Sequence, residues 1–432
     1  MSDFNPLREL PSDAKFGEGD TLVIFGEVFR RGYVNGLIDA AEKRGMNVIY
    51  STVGRREKDS GDLRALTTEE LAEQPKNFIN IPIEAGFDYQ PDSSGLRPID
   101  QLQGIKLKTW HETKLDWASI EEAQGLATED FQNRLRQWAV ELEAKLPAKG
   151  NILFAHTMAG GVPRAKIVMP LMNRVFKGSG DRYMSSEEFW SSDIGRLCDA
   201  NFMDVTAMTF KHLVEATSAI RSARSNALVS YVAYGYHGTE LLLDGKYQWQ
   251  SYSPYLQGWA KRRLEELSVE ASSVGLKTCV FNAPEILTDS SSVFLGVEVP
   301  LYLLLRAIGK EQGTDSKIYK DLKSRCADKL KDPAQLDQIL DRIESFFRSD
   351  IIKGEMTEFD QWPQHNKPKQ MEIMHQTSKM VLDAHKDLKS LMSAELSEII
   401  FKTCGEAMLR EAAQPKAPYQ WIGHDLVAQL AH

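Results

Sequence analysis

Short apolar runs alternate with stretches of helical period along the first two thirds of the chain. Residues 21–25 (TLVIF) form an unbroken apolar run, as a strand buried on both faces requires. A glycine-bearing turn follows, then apolar positions at helical spacing over 33–44, then a second run at 47–51 (NVIYS). This β-α-β order predicts a parallel pair with a right-handed crossover. Further strands are expected at 78–83 (FINIPI), 151–155 (NILFA), 227–233 (ALVSYVA) and 276–281 (LKTCVF), with helices at 201–222 and 255–271. The alternation predicts an α/β fold, a doubly wound parallel Rossmann sheet. Beyond about residue 315 the pattern is helical, over 316–347 and 369–413, with a Pro- and Gln-containing break at 361–370. The expected organisation is a Rossmann-type nucleotide-binding and catalytic domain over 1–315. A C-terminal helical extension, 316–432, packs on it as a cap.

Composition narrows the function classes. The 432 residues are 42% hydrophobic and 26% charged, ordinary for a globular chain. A net charge of −9 with no basic block argues against nucleic acid or anionic membrane as partner. Cys198, Cys279, Cys326 and Cys404 lie far apart with no CxxC pair, so reduced thiols are expected rather than disulfides or a zinc site. The start MSDFNPLREL has no apolar signal core, and no run approaches the roughly 20 residues that cross a bilayer. The expected location is cytoplasmic. His375 and His385 give no metal pattern, and no HExxH, Walker A or nucleophile elbow is found.

Two segments carry candidate chemistry for a cofactor. The turn after the first strand runs from Gly26 through Phe29 to Gly32, Tyr33 and Gly36, spaced G-x5-G-x3-G. Glycine lets backbone approach a pyrophosphate, and the next helix N-terminus offers N–H groups and positive dipole. The competing reading is an ordinary turn. After the second strand stand Arg55 and Arg56, where an acidic residue would favour NAD. Guanidinium groups suit a 2′-phosphate, so NADP is expected over NAD, against a plain solvated basic loop.

The fifth strand leads into Tyr234-Gly235-Tyr236-His237-Gly238, and then to Tyr252 and Lys261, spaced Y-x8-K. A phenol that donates a proton benefits from a nearby ammonium, which lowers its pKa. Tyr255 is the alternative donor. His156 and His237 follow strands four and five, where α/β ligands bind, although a structural role suits each. Asp193, Asp199 and Asp204 read as solvated helix charges.

These stretches resemble the trans-2-enoyl-CoA / enoyl-ACP reductase family of the FabV type, a divergent branch of the short-chain dehydrogenase/reductase superfamily. The resemblance runs over about residues 226–315. It rests on VAYGYHGTE (232–240), Tyr252 with Gly258-x-Ala260-Lys261, TDSSS (288–292), Pro300-Leu301-Tyr302 and Glu311-Gln312-Gly313. Weaker echoes lie at Ile83-Glu84-Ala85 and at His156-Thr157-Met158-Ala159. The resemblance implies Tyr252 as proton donor, Lys261 on the ribose and Tyr236 on the thioester oxygen. It implies Glu84 and Ala85 at the adenine, and Met158, Ala159, Leu287 and Thr288 lining the nicotinamide. It further implies an acyl thioester substrate and is compatible with a homodimer. Departures are Gly235 where the family has serine, and a Tyr236-to-Tyr252 spacing longer by six residues, which implies an insertion within 241–251. The alternatives are a short-chain-type carbonyl reductase and a catalytically inactive NADP-binding protein.

Overall fold

The computed structural model describes residues 4–251, 258–288, 294–356 and 358–432. Tyr252 and Tyr255, and residues 289–292 of the TDSSS stretch, lie outside them. The described strands are β1 (Thr21–Phe25), β2 (Asn47–Thr52), β3 (Arg55–Arg56), β4 (Leu63–Arg64), β5 (Phe78–Pro82) and β6 (Ile152–His156). They continue with β7 (Val229–Gly235), β8 (Thr239–Leu243), β9 (Lys246–Gln250), β10 (Lys277–Asn282) and β11 (Tyr419–Trp421).

Seven of them form one sheet in the order β11-β10-β7-β6-β1-β2-β5. Every pairing in it is parallel. Counted along the sheet's own strands this is the doubly wound Rossmann order, and it reverses between β1 and β6. The full burial of β1 and β6 explains the apolar runs at 22–25 and 152–155. One face of the sheet packs on the Val34–Glu42 helix and on C-terminal helices through Leu22, Ile24, Leu37, Val232, Phe281 and Ile400. The other face packs on the Trp117–Lys145 and Thr209–Ala216 helices through Val23, Phe25, Phe131, Trp138 and Phe210. The Trp138 indole donates to Ser51 Oγ at 2.9 Å, tying that long helix to β2.

Two expectations are corrected. The stretch after residue 315 is not purely helical, because Tyr419–Trp421 pairs with β10 and extends the sheet. A strand of three residues is too short to show a period, and Pro418 precedes it. The single helix expected over 201–222 is a broken run: Asp193–Phe202, a widened π-type turn at Met203–Met208, then Thr209–Ala216 and Ser218–Ala223. The widened turn turns Thr206 toward the loop after β6. Its hydroxyl donates to the Gly160 carbonyl at 2.9 Å. The segment expected to carry an insertion, 241–251, falls largely within a hairpin, β8-β9, closed by Asp244 (φ 48°) and Gly245 (φ 71°). Positive φ at both central positions is the turn that Asp-Gly favours.

Candidate active site

The carboxyl ends of β1 and β6 flank the point where strand order reverses, the place at which α/β sheets bind dinucleotides, and those of β2, β5, β7 and β10 lie along the same edge. Each end is shaped by a local demand. Gly26 leaves β1 at φ 128°, and a Cβ there would stand 2.3 Å from Thr157 Oγ1 and 3.3 Å from the Met158 nitrogen. Only glycine fits, so the turn after β1 passes close against the loop after β6. Asn35 closes the loop by donating to the carbonyls of Phe29 (2.9 Å) and Gly32 (3.0 Å). The Val34–Glu42 helix has neither a side-chain cap nor an acidic residue in its first turn, which leaves its N-terminus suited to an anion. Such a cradle fits a dinucleotide. Phe29 is exposed on its rim. Gly36 serves otherwise: a Cβ there would lie 1.7 Å from the Phe401 carbonyl, so this glycine lets the Met392–Glu411 helix cross at close range.

The two arginines after β2 have carboxylate partners. Arg55 pairs with Glu27 of the phosphate loop at 2.8 Å, and Arg56 with Glu84 at 3.0 Å. Glu84 also pairs with Arg164, while Arg134 donates to the Glu84 carbonyl at 2.9 Å. The pair is thus tied to carboxylates of the loops after β1 and β5. Ala85 follows, half-buried. After β6, Met158 is buried and Ala159 exposed. After β10, the Leu287 N–H donates to Ser397 Oγ at 3.0 Å, and Thr288 is the last described residue of that loop.

Lys261 lies in the first turn of the Gly258–Ser273 helix, and its ammonium donates to the Tyr234 carbonyl at 2.7 Å. Burial pushes its pKa down to about 8. Tyr236 follows two residues after Tyr234, and its hydroxyl lies 3.1 Å from that of Tyr33 on the phosphate loop. Gly26 thus abuts Met158, Tyr33 bonds Tyr236, and Lys261 bonds Tyr234 two residues before it, all beyond the carboxyl ends of neighbouring sheet strands.

The turn that carries Tyr236 is held tightly. The His237 N–H donates to Asn282 Oδ1 at 2.9 Å, and its carbonyl accepts from the indoles of Trp249 (3.0 Å) and Trp421 (2.8 Å). The His237 ring sits between Phe359 (4.7 Å) and Trp362 (3.9 Å), with Nδ1 3.2 Å from Glu265. Gly235 is required here, because a Cβ would stand 2.1 Å from Asn282 Oδ1. Asn282 of β10 thus occupies the space that a side chain at 235 would need. His156 bonds Thr209 Oγ1 at 2.8 Å, and burial first, then Lys261, lower its pKa to about 3. Neutral and enclosed, it is structural. Of the three acids read as solvated, Asp193 is buried and accepts from the Leu115 N–H at 2.9 Å. Burial raises Asp199 and Asp204 to about 6. Glu285, past the end of β10, was not singled out by sequence; it is 6% exposed, and burial, then Glu298, raise it to about 8.

Sheet order, glycine cradle and the lysine beside the fifth strand's end define a Rossmann-type nicotinamide-dependent oxidoreductase. More narrowly, residues 3–431 match the model of the enoyl-acyl carrier protein reductase FabMG, and the chain belongs to that family. The apo structure of a FabMG reductase is 41% identical over 99% of this chain and 98% of its own, with a TM-score of 0.94. An NADH-bound FabMG structure is 37% identical over 99% and 98%, with a TM-score of 0.80. No curated protein matches the sequence. Among the described residues no helix is long and apolar enough to cross a membrane.

Proposed function

We propose that the protein is a cytoplasmic reductase of the carbon–carbon double bond in trans-2-enoyl thioesters, carried on acyl carrier protein or CoA, with NADH as its preferred cofactor. The observation that carries this reading is the double tie at the end of β7. Lys261 is fixed to Tyr234 at 2.7 Å, and Tyr236 to Tyr33 of the phosphate loop at 3.1 Å. A phenol and an ammonium thereby flank the crevice on the cofactor's side. Preference for NADH follows from the carboxylate partners of Arg55 and Arg56, since a 2′-phosphate would compete with Glu27 and Glu84 for them.

The Gly26–Tyr33 loop would hold the pyrophosphate, Glu84 and Ala85 would flank the adenine, and Met158, Ala159, Leu287 and Thr288 would line the nicotinamide. When bound, the reduced nicotinamide supplies the hydride. Reduction at the β-carbon drives charge onto the thioester oxygen. Tyr236 donates a hydrogen bond there, and the field of Lys261 favours the developing anion. Tyr252 is the proton donor in this reading, and Lys261 also binds the ribose. Kinship with FabV-type reductases in the short-chain superfamily belongs to the same reading, supported by the positions of Tyr236 and Lys261 after the fifth sheet strand.

The test is turnover of crotonyl and acetoacetyl thioesters with NADH, for the native chain and Tyr252→Phe. Consumption of the enoyl substrate alone is expected, lost in Tyr252→Phe with NADH binding kept. Reduction of the keto substrate alone would overturn the reading.

A further inference from the structure

Tyr33 stands between the loop read as the cofactor cradle and the phenol read as facing the thioester. It is 7% exposed. Its hydroxyl donates to the Pro284 carbonyl, just past β10, and accepts from the Tyr236 hydroxyl at 3.1 Å. Its ring meets Tyr236 edge-on at 5.8 Å and leans on Tyr234 at 5.7 Å. One side chain therefore joins the ends of β1, β7 and β10 across the crevice.

We propose that Tyr33 is a positioning residue for Tyr236 and strengthens it as a hydrogen-bond donor. This rests on the reading of Tyr236 given above. A phenol hydrogen rotates about its C–O bond, so the Tyr33–Tyr236 contact can run in either direction without moving heavy atoms. With no acceptor in the crevice, Tyr236 donates to Tyr33, and Tyr33 donates to Pro284. When a thioester oxygen arrives, Tyr236 turns its hydrogen to that oxygen and Tyr33 turns its own to Tyr236. Hydrogen bonds in a chain polarise one another, so Tyr236 donates more strongly as charge develops. No proton changes owner in this arrangement.

The surroundings make that help matter. Burial raises the pKa of the Tyr236 phenol, and the bond from Tyr33 acts against that rise. Among the described residues, Glu285 and Cys404 also act on the phenol, and both raise its pKa. Tyr33 thus favours charge on Tyr236 where these two oppose it. Because it ends the phosphate loop, the same residue couples the seating of the cofactor to the orientation of the phenol.

The experiment is a double-mutant cycle of Tyr33→Phe and Tyr236→Phe, with kcat, KM for a crotonyl thioester and Kd for NADH measured in each. Phenylalanine keeps the ring contacts and removes one oxygen. Tyr33→Phe is expected to lower kcat roughly tenfold, the scale of a hydrogen bond to a developing charge, with a smaller change in NADH Kd and a modest loss of melting temperature from the donor taken from the Pro284 carbonyl. In the Tyr236→Phe background the same change is expected to have little further effect. Equal losses in both backgrounds, or no loss from Tyr33→Phe beside a large loss from Tyr236→Phe, would overturn the proposal. Full activity in Tyr236→Phe would instead overturn the reading of Tyr236 itself.

Discussion

The ammonium of Lys261 and the main-chain carbonyl of Tyr234 meet at 2.7 Å inside a buried pocket of the strand ends, and among the described residues no carboxylate forms an ion pair with that ammonium. The charge is held by a dipole, so its field remains available to an anion formed nearby.

This bears on pH and on mutation. With a folded pKa near 8, the ammonium is present below that pH and lost above it. Turnover is expected to fall as pH rises through about 8, measured as kcat/KM against pH. Lys261→Met should lower kcat/KM by about 100-fold or more, the scale of removing a preorganised electrostatic group. Stability should move the other way. The native state binds this proton less tightly than the unfolded chain, so the lysine's contribution rises with pH above about 8. Lys261→Met is therefore expected to keep or raise the melting temperature near neutral pH.

Gly26 offers a test of the cradle. A Cβ at φ 128° would meet Thr157 Oγ1 at 2.3 Å, so Gly26→Ala must strain or displace the loop. Backbone strain of this kind costs about 1–3 kcal/mol. Calorimetric titration should show NADH affinity reduced by about tenfold or more, with a smaller loss in melting temperature than in affinity.

The carboxylate partners of Arg55 and Arg56 predict a route to altered cofactor choice. The native chain should show a higher kcat/KM with NADH than with NADPH. Glu27→Gln leaves Arg55 charged without its 2.8 Å partner, available to a 2′-phosphate. Steady-state kinetics with the two cofactors should show the ratio shift toward NADPH by about tenfold, with activity on NADH mostly retained.

Glu285 predicts a pH-dependent stability. Its folded pKa, about 8, lies above its ordinary value of 4.5. The native state thus holds a proton that the unfolded chain releases, and stability from this group is full below about 4.5 and lost as pH rises through about 8. Glu285→Gln mimics the protonated acid. Melting curves should show it a few degrees more stable than the native chain above pH 8, and no more stable at pH 5. Glu298, also raised by burial, will leave part of the slope in place.

Much of this was legible in the sequence, for reasons particular to certain residues. β1 and β6 are buried on both faces, so the runs LVIF (22–25) and ILFA (152–155) had to be apolar, and the sheet could be read from them. Gly26, Tyr236 and Lys261 stood out because each sits at a strand end or a helix start. The rest depends on contacts between distant segments. β11 is three residues long and is a strand only because β10 offers an edge. The Asp244-Gly245 turn carried a hairpin signal, but it was obscured by reading the segment as an insertion. The carboxylate partners of the guanidinium pair could not be read locally, because Glu27 and Glu84 come to it from the loops after β1 and β5. Gly235 looked like a defect until Asn282 was seen in the space of its missing side chain.

The most direct measurement is the fate of the hydride. Incubation with a trans-2-enoyl thioester and NADH deuterated at the transferring carbon of its nicotinamide should place one deuterium on the β-carbon of the saturated product, read by mass spectrometry and NMR. Deuterium found on a carbinol carbon from a keto substrate, or tight NADH binding with no transfer to any enoyl thioester, would contradict the assignment.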